Sequence, residues 1–240
     1  MQLIIANWKN NPKTLARAKS LFLSIRQRAH KLKNIEVVVC PPSLYLPELS
    51  VGVSSLKLGG QDCSWKDSVP LTGEIAPSML KSLGAEYVIL GHSERRRYLQ
   101  ETDALINRKI KSALKGGLKV IFCVGDETRN QIRRGLDGIG GAGMVRLAIV
   151  YEPLSAISTQ KGSPVAPSEL RQKKALIQNA LKQMFSRAVA QKVRILYGGS
   201  VNEKNIKSFL GAAGMDGFLV GQASLNSSRF LRLLRACERG

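Results

Sequence analysis

His92 stands where the apolar run Tyr87–Leu90 ends and where Ser93–Glu94 reads as the opening of a helix. The partial positive charge at a helix N-terminus disfavours imidazolium, so this position suits a neutral imidazole that donates a hydrogen bond to a substrate oxygen. A histidine used only for packing is the alternative that the segment by itself leaves open. Asn7 and Lys9 close another apolar run, Leu3–Asn7, and Glu152 closes Arg146–Glu152. Gly198–Gly199–Ser200 and Gly221–Gln222–Ala223 are turns whose backbone N–H groups suit a phosphate, and the second opens a helix. A carboxylate base at Glu152, with positive charge at Lys9 and a donor at His92, suits proton abstraction beside a carbonyl in a small phosphorylated substrate. Lys9 and His92 then stabilise the enediolate oxyanion, and the reaction calls for no cofactor and no metal.

These groups need a frame that brings strand ends together. Candidate strands are Leu3–Asn7, Glu36–Cys40, Leu56–Gln61, Tyr87–Gly91, Lys119–Val124, Arg146–Glu152, Arg194–Tyr197 and Gly217–Gly221. Amphipathic stretches between them include Thr14–His30, Thr102–Leu114, Ser168–Ala190, Glu203–Leu210 and Ser224–Cys237, with brief ones at Leu44–Leu49 and Ala76–Leu83. The stretch after Gly125 promises little helix. Eight βα units in 240 residues predict an α/β chain forming one (β/α)8 barrel domain over residues 1–240. An open doubly wound sheet remains the alternative, since periodicity does not distinguish closure from an edge. A barrel carries its chemistry at the C-terminal ends of its strands. Asn7, Lys9, Gln61, His92, Glu152 and both glycine turns fall there.

The chain has 37 Lys and Arg against 17 Asp and Glu, a formal charge of +20. Such a balance attracts anions from phosphorylated metabolites to nucleic acid. The basic residues are spread over helices such as Lys13–Lys33 and Arg229–Arg239 with few interleaved aromatics, so no nucleic-acid role is expected. No apolar run reaches the length of a membrane span, and the first residues show no secretory leader. Cys40, Cys63, Cys123 and Cys237 are scattered without a CxxC pair, which fits reduced, buried thiols in a cytoplasm.

The residues that carry these readings resemble the triosephosphate isomerase family over essentially the whole chain. The matching stretches are ANWKNN (Ala6–Asn11), GQDC (Gly60–Cys63), LTGEI (Leu71–Ile75), YVILGHSERRR (Tyr87–Arg97), IFCVGD (Ile121–Asp126), VYEP (Val150–Pro153), AIST (Ala156–Thr159), YGGSVN (Tyr197–Asn202) and DGFLVGQASL (Asp216–Leu225). The resemblance implies a TIM barrel that interconverts dihydroxyacetone phosphate and D-glyceraldehyde 3-phosphate without a cofactor. It implies Glu152 as base, His92 as neutral electrophile and Lys9 as the balancing charge, with Asn7 and Glu94 in support. Ser200, Gly221 and Gln222 then bind phosphate, joined by Ser158 from a lid. It also implies a homodimer in which Thr72, on the loop after the third strand, lies near the partner's active site.

The lid departs from the family pattern. Ser155 stands where a tryptophan is usual, Ser158 and Gln160 replace glycines, and two extra residues precede Pro167. A lid that seals less tightly is expected to release enediolate, which eliminates phosphate to give methylglyoxal. A barrel with weakened catalysis that merely binds sugar phosphates is the alternative this leaves. Gln222 replaces a glycine of the strand-eight turn, and its side chain is expected to face solvent. Gly138–Gly143 formally reads GxGxxG, but it precedes a strand and lacks the acidic partner, so it reads as a surface loop. Trp8 and Trp65 read as packing or interface residues, His30 as a solvated helix residue, and Asp126 and Glu127 as structural.

Overall fold

Period-two burial along the strands explains why they read as near-continuous apolar runs. Leu3 and Ile5 face one cluster with Val38, Cys40, Ile89, Ile121, Val150 and Leu219, which fills the barrel interior. Ile4 and Ala6 face the other cluster with Val37, Val39, Val88, Phe122 and Phe218, which packs under the helices. Both faces of each strand are therefore buried.

A computed structural model describes residues 1–51, 56–153 and 165–238. The strands are β1 (Gln2–Asn7), β2 (Ile35–Cys40), β3 (Lys57–Gly60), β4 (Ala85–Leu90), β5 (Lys119–Val124), β6 (Leu147–Tyr151), β7 (Arg194–Tyr197) and β8 (Gly217–Val220). All pair in parallel in sequence order, and β8 returns to β1 from Leu3↔Gly217 to Ala6↔Val220. That closure settles the choice between a barrel and an open sheet in favour of the (β/α)8 barrel.

The described helices are α1 (Leu15–Ala29), α2 (Leu46–Leu49), α3 (Pro77–Ser82), α4 (Ser93–Tyr98), α5 (Asp103–Lys115), α6 (Thr128–Gly135), α7 (Gly141–Met144), α8 (Pro167–Met184), α9 (Arg187–Lys192), α10 (Ile206–Ala213) and α11 (Ser227–Glu238). Two expectations need correction. The single helix expected over Ser168–Ala190 is two, because Phe185 is extended and the Ser186 side chain accepts the Val189 N–H, capping a new start. The stretch after Gly125 holds more helix than expected, since α6 spans eight residues and α7 follows it. The glycine-rich segment is part of that packing, with Ile139 and Met144 buried.

Trp8 is fully buried, Arg108 stacks 3.4 Å from the Trp65 ring centroid, and His30 is the exposed C-terminal cap of α1. The Tyr151 hydroxyl donates to Asp126 at 3.4 Å. All four cysteines are buried free thiols. Among the described residues, no helix is long and apolar enough to cross a membrane, and no three His, Cys, Asp or Glu side chains group as metal ligands.

Candidate active site

One helix start organises the reactive pair. Gly91, with φ of 73°, turns the chain out of β4 in a conformation that favours glycine. His92 then caps α4, its Nδ1 accepting the Glu94 N–H at 3.2 Å. A bond accepted at Nδ1 suits the tautomer that carries its proton on Nε2. The Nε2 atom faces Glu152 Oε1 at 3.2 Å. The other carboxylate oxygen, Oε2, accepts the Ser93 N–H at 3.0 Å. Both free amides at the start of α4 are thereby committed to the two groups that sequence reading paired. His92 and Glu152 are both buried.

Lys9 lies across from them. Its φ of 52° is unusual for a residue with a side chain. Its N–H donates to Asn7 Oδ1 at 3.0 Å, and its carbonyl accepts from Gln61 Nε2 at 2.7 Å. Its Nζ meets Glu94 Oε1 at 2.6 Å. Asn7, Lys9, Gln61, His92 and Glu94 line one open hollow with Asn10, Asn11, Arg95, Tyr98 and Leu99.

The two glycine turns meet beside it. Gly199, Ser200, Val201 and Asn202 after β7 face Gly221, Gln222 and Ala223 after β8 around a cavity of about 150 Å³. The Ser200 carbonyl accepts from Asn205 Nδ2 at 2.7 Å, and the Gly221 carbonyl accepts the Ser224 N–H at 2.9 Å. A Cβ built on Gly221 lies 3.8 Å from Lys9 Cε, so the lysine borders the turn. Gln222 is exposed.

The structure thus brings Asn7, Lys9, His92, Glu94 and Glu152 together, with Ser200, Gly221 and Gln222 alongside. Thr72 is exposed on the loop between β3 and α3 and takes no part in this cluster. Ser158 lies outside the described residues, as do Ser155 and Gln160. Sequence reading missed Arg229, which lines the small cavity while its Nε donates to Glu203 at 3.1 and 3.2 Å. Its place in a basic helical run hid it. Ser93, whose side chain signalled only a helix start, contributes through its backbone.

A family model described as triosephosphate isomerase matches residues 2–237. A triosephosphate isomerase of Dictyoglomus thermophilum is 39% identical over 249 aligned residues, covering 98% of this chain and 99% of that one. One from Dehalococcoides mccartyi (strain CBDB1) is 42% identical over 249 residues, covering 98% and 96%. One from Trichlorobacter lovleyi is 36% identical over 247 residues, covering 97% of each.

Proposed function

The chain belongs to the triosephosphate isomerase family and interconverts dihydroxyacetone phosphate and D-glyceraldehyde 3-phosphate, and we propose that it does so through an enediolate made by Glu152 and stabilised by His92 and Lys9. The observation that carries this is the placement of His92, whose Nε2 faces Glu152 Oε1 at 3.2 Å while Nδ1 accepts the Glu94 N–H.

The phosphate sits between Ser200 and the Gly221–Gln222 turn, in the cavity that Arg229 borders. That leaves the three-carbon portion over Lys9, His92 and Glu152. In dihydroxyacetone phosphate, Glu152 takes a proton from C1 and the C2 carbonyl becomes an oxyanion. The carboxylate has one oxygen on the Ser93 N–H and the other against His92. It therefore turns from Ser93 to reach carbon, and this frees His92 Nε2–H for the oxyanion. Lys9 offsets the growing charge, and Asn7 and Glu94 fix its two ends. Returning the proton at C2, with the hydroxyl proton passing between the oxygens, completes the aldose. Electrons and atoms balance without an oxidant or reductant, so the proposal calls for no cofactor.

We extend the reading to a homodimer of one-domain chains acting in the cytoplasm. Leu44, Met79, Tyr98 and Leu99 are exposed large apolar side chains on segments following the adjacent strands β2, β3 and β4. Tyr98 and Leu99 also line the hollow that holds Lys9, so a second copy covering this face reaches its rim, and the exposed loop around Thr72 is free to take part. Turnover of glyceraldehyde 3-phosphate by purified protein and by Glu152→Gln tests the site. Rapid turnover that collapses in the variant supports it, and equal turnover in both rejects the assignment of Glu152.

A further inference from the structure

Two arms grip Lys9 at opposite ends. Gln61 Nε2 holds its carbonyl at 2.7 Å and also the Cys40 carbonyl at 2.9 Å. Glu94 holds its ammonium at 2.6 Å. A positive φ on a side-chain-bearing residue persists only where neighbours enforce it. The arms come from separate parts of the chain, the end of β3 and the first turn of α4. Yet the residue following each arm, Asp62 and Arg95, is bonded to the other, Arg95 Nη2 reaching Asp62 Oδ2 at 2.7 Å.

This pair sits in a tight cluster. Lys109 Nζ from α5 meets Asp62 Oδ2 at 2.6 Å and Glu101 Oε1 at 2.5 Å, and Arg95 Nε meets the same Glu101 oxygen at 2.8 Å. The remaining oxygens, Asp62 Oδ1 and Glu101 Oε2, are buried with no hydrogen-bond partner among the described residues. Burying charges this way is a poor source of stability. Burial, opposed by Lys109, pushes the Asp62 carboxyl up to about 6, so its ionised form is less favourable here than in water. What the cluster does supply is geometry.

We propose that the Asp62–Arg95 ion pair is a strut that locks the Gln61 and Glu94 arms in register and thereby positions Lys9 for catalysis. Asp62 and Arg95 are positioning residues and act through Lys9. The inference rests on the role given to Lys9 above.

The test is a cycle of variants with kcat, KM and melting temperature measured together on glyceraldehyde 3-phosphate. Asp62→Asn is expected to lower kcat/KM about tenfold, since small misplacements of a catalytic group carry large rate effects. Its melting temperature is expected to fall, since Lys109 and Arg95 each lose a partner, while the protein stays folded at the assay temperature. In a Glu94→Gln background, where one arm is already released, Asp62→Asn should add less than about twofold. An equal fold-loss in both backgrounds, or no loss in either, overturns the strut. Arg95→Gln and Arg95→Lys repeat the test from the other partner should Asp62→Asn not fold. The lysine variant is expected to recover part of the activity lost in the glutamine variant, and full activity in Arg95→Gln overturns the proposal. Lys9→Met serves as the control. If it is inactive beside a wild-type-like Asp62→Asn, the strut alone fails; if it is fully active, the reading of Lys9 fails.

Discussion

Gly198→Ala should move the catalytic carboxylate without touching its chemistry. A Cβ built on Gly198 lies 2.6 Å from Val150 Cγ1 and 2.9 Å from Glu152 Cγ, where ordinary contact begins at 3.4 Å. Val150 is fully buried inside the barrel, and the Gly198 N–H is tied to the Tyr151 carbonyl at 2.9 Å. Neither yields easily, so the Glu152 side chain retreats by the difference between 2.9 and 3.4 Å. That shift spoils its bond to the Ser93 N–H, now 3.0 Å, or its placement against His92 Nε2, now 3.2 Å. Overpacking of this kind costs about 1–3 kcal/mol, and in a chain this long each kcal/mol lowers the melting temperature by about 2–4 °C. Rates respond more steeply, because a displacement approaching 1 Å at a reacting group costs up to about 100-fold. The variant is therefore expected to stay folded, melt a few degrees lower and lose about 10- to 100-fold in kcat. Coupled-enzyme turnover and a thermal melt on the same preparation measure both. A kcat within about twofold of wild type, with the melting temperature lowered as expected, would refute the link between Glu152 placement and rate.

Wild type is expected to sediment as the proposed dimer and Leu99→Asp, which places a charge on the exposed apolar face, as a monomer; an unchanged sedimentation coefficient rejects that face as the interface. Glu36, at the start of β2, is held below its usual range: burial opposes this, but hydrogen bonds from Tyr87 and Arg194 and the charges of Arg194 and Lys119 outweigh it. Its contribution is present above the ordinary carboxylate range and fades as pH falls through its lowered folded value. Glu36→Gln should thus cost about 1–3 kcal/mol at neutral pH and progressively less under acid, read from urea melts across pH. Ser155→Trp, which restores the residue usual in the family, is expected to reduce the methylglyoxal formed per turnover, and an unchanged yield counts against that expectation.

Residues at strand ends were the legible part of this site. Asn7, Lys9, His92 and Glu152 each terminate an apolar run, and a barrel forces such positions onto one rim, so type and position together point to chemistry. Closure was not legible, because it depends on β8 finding β1 across the length of the chain. Gln61 could be placed on the rim, but its grip on the Lys9 carbonyl joins residues far apart in sequence and leaves no local pattern. The same holds for the bond between Asp62 and Arg95. Arg229 looked like any cation on a solvated helix until α11 brought it to the turns after β7 and β8. The split of α8 from α9 is hidden in the sequence for a local reason: the amphipathic pattern continues through Phe185, while the capping preference of Ser186 restarts the helix.

In the proposed mechanism Glu152 removes a carbon-bound proton while His92 stabilises the oxyanion, and solvent exchange follows that proton. Dihydroxyacetone phosphate is incubated in deuterated buffer with wild type or Glu152→Gln, and deuterium at C1 is followed by NMR. Catalysed incorporation is expected from wild type, with a loss of about 100-fold or more in the variant. Incorporation at the wild-type rate in Glu152→Gln would contradict it and assign the base to another residue.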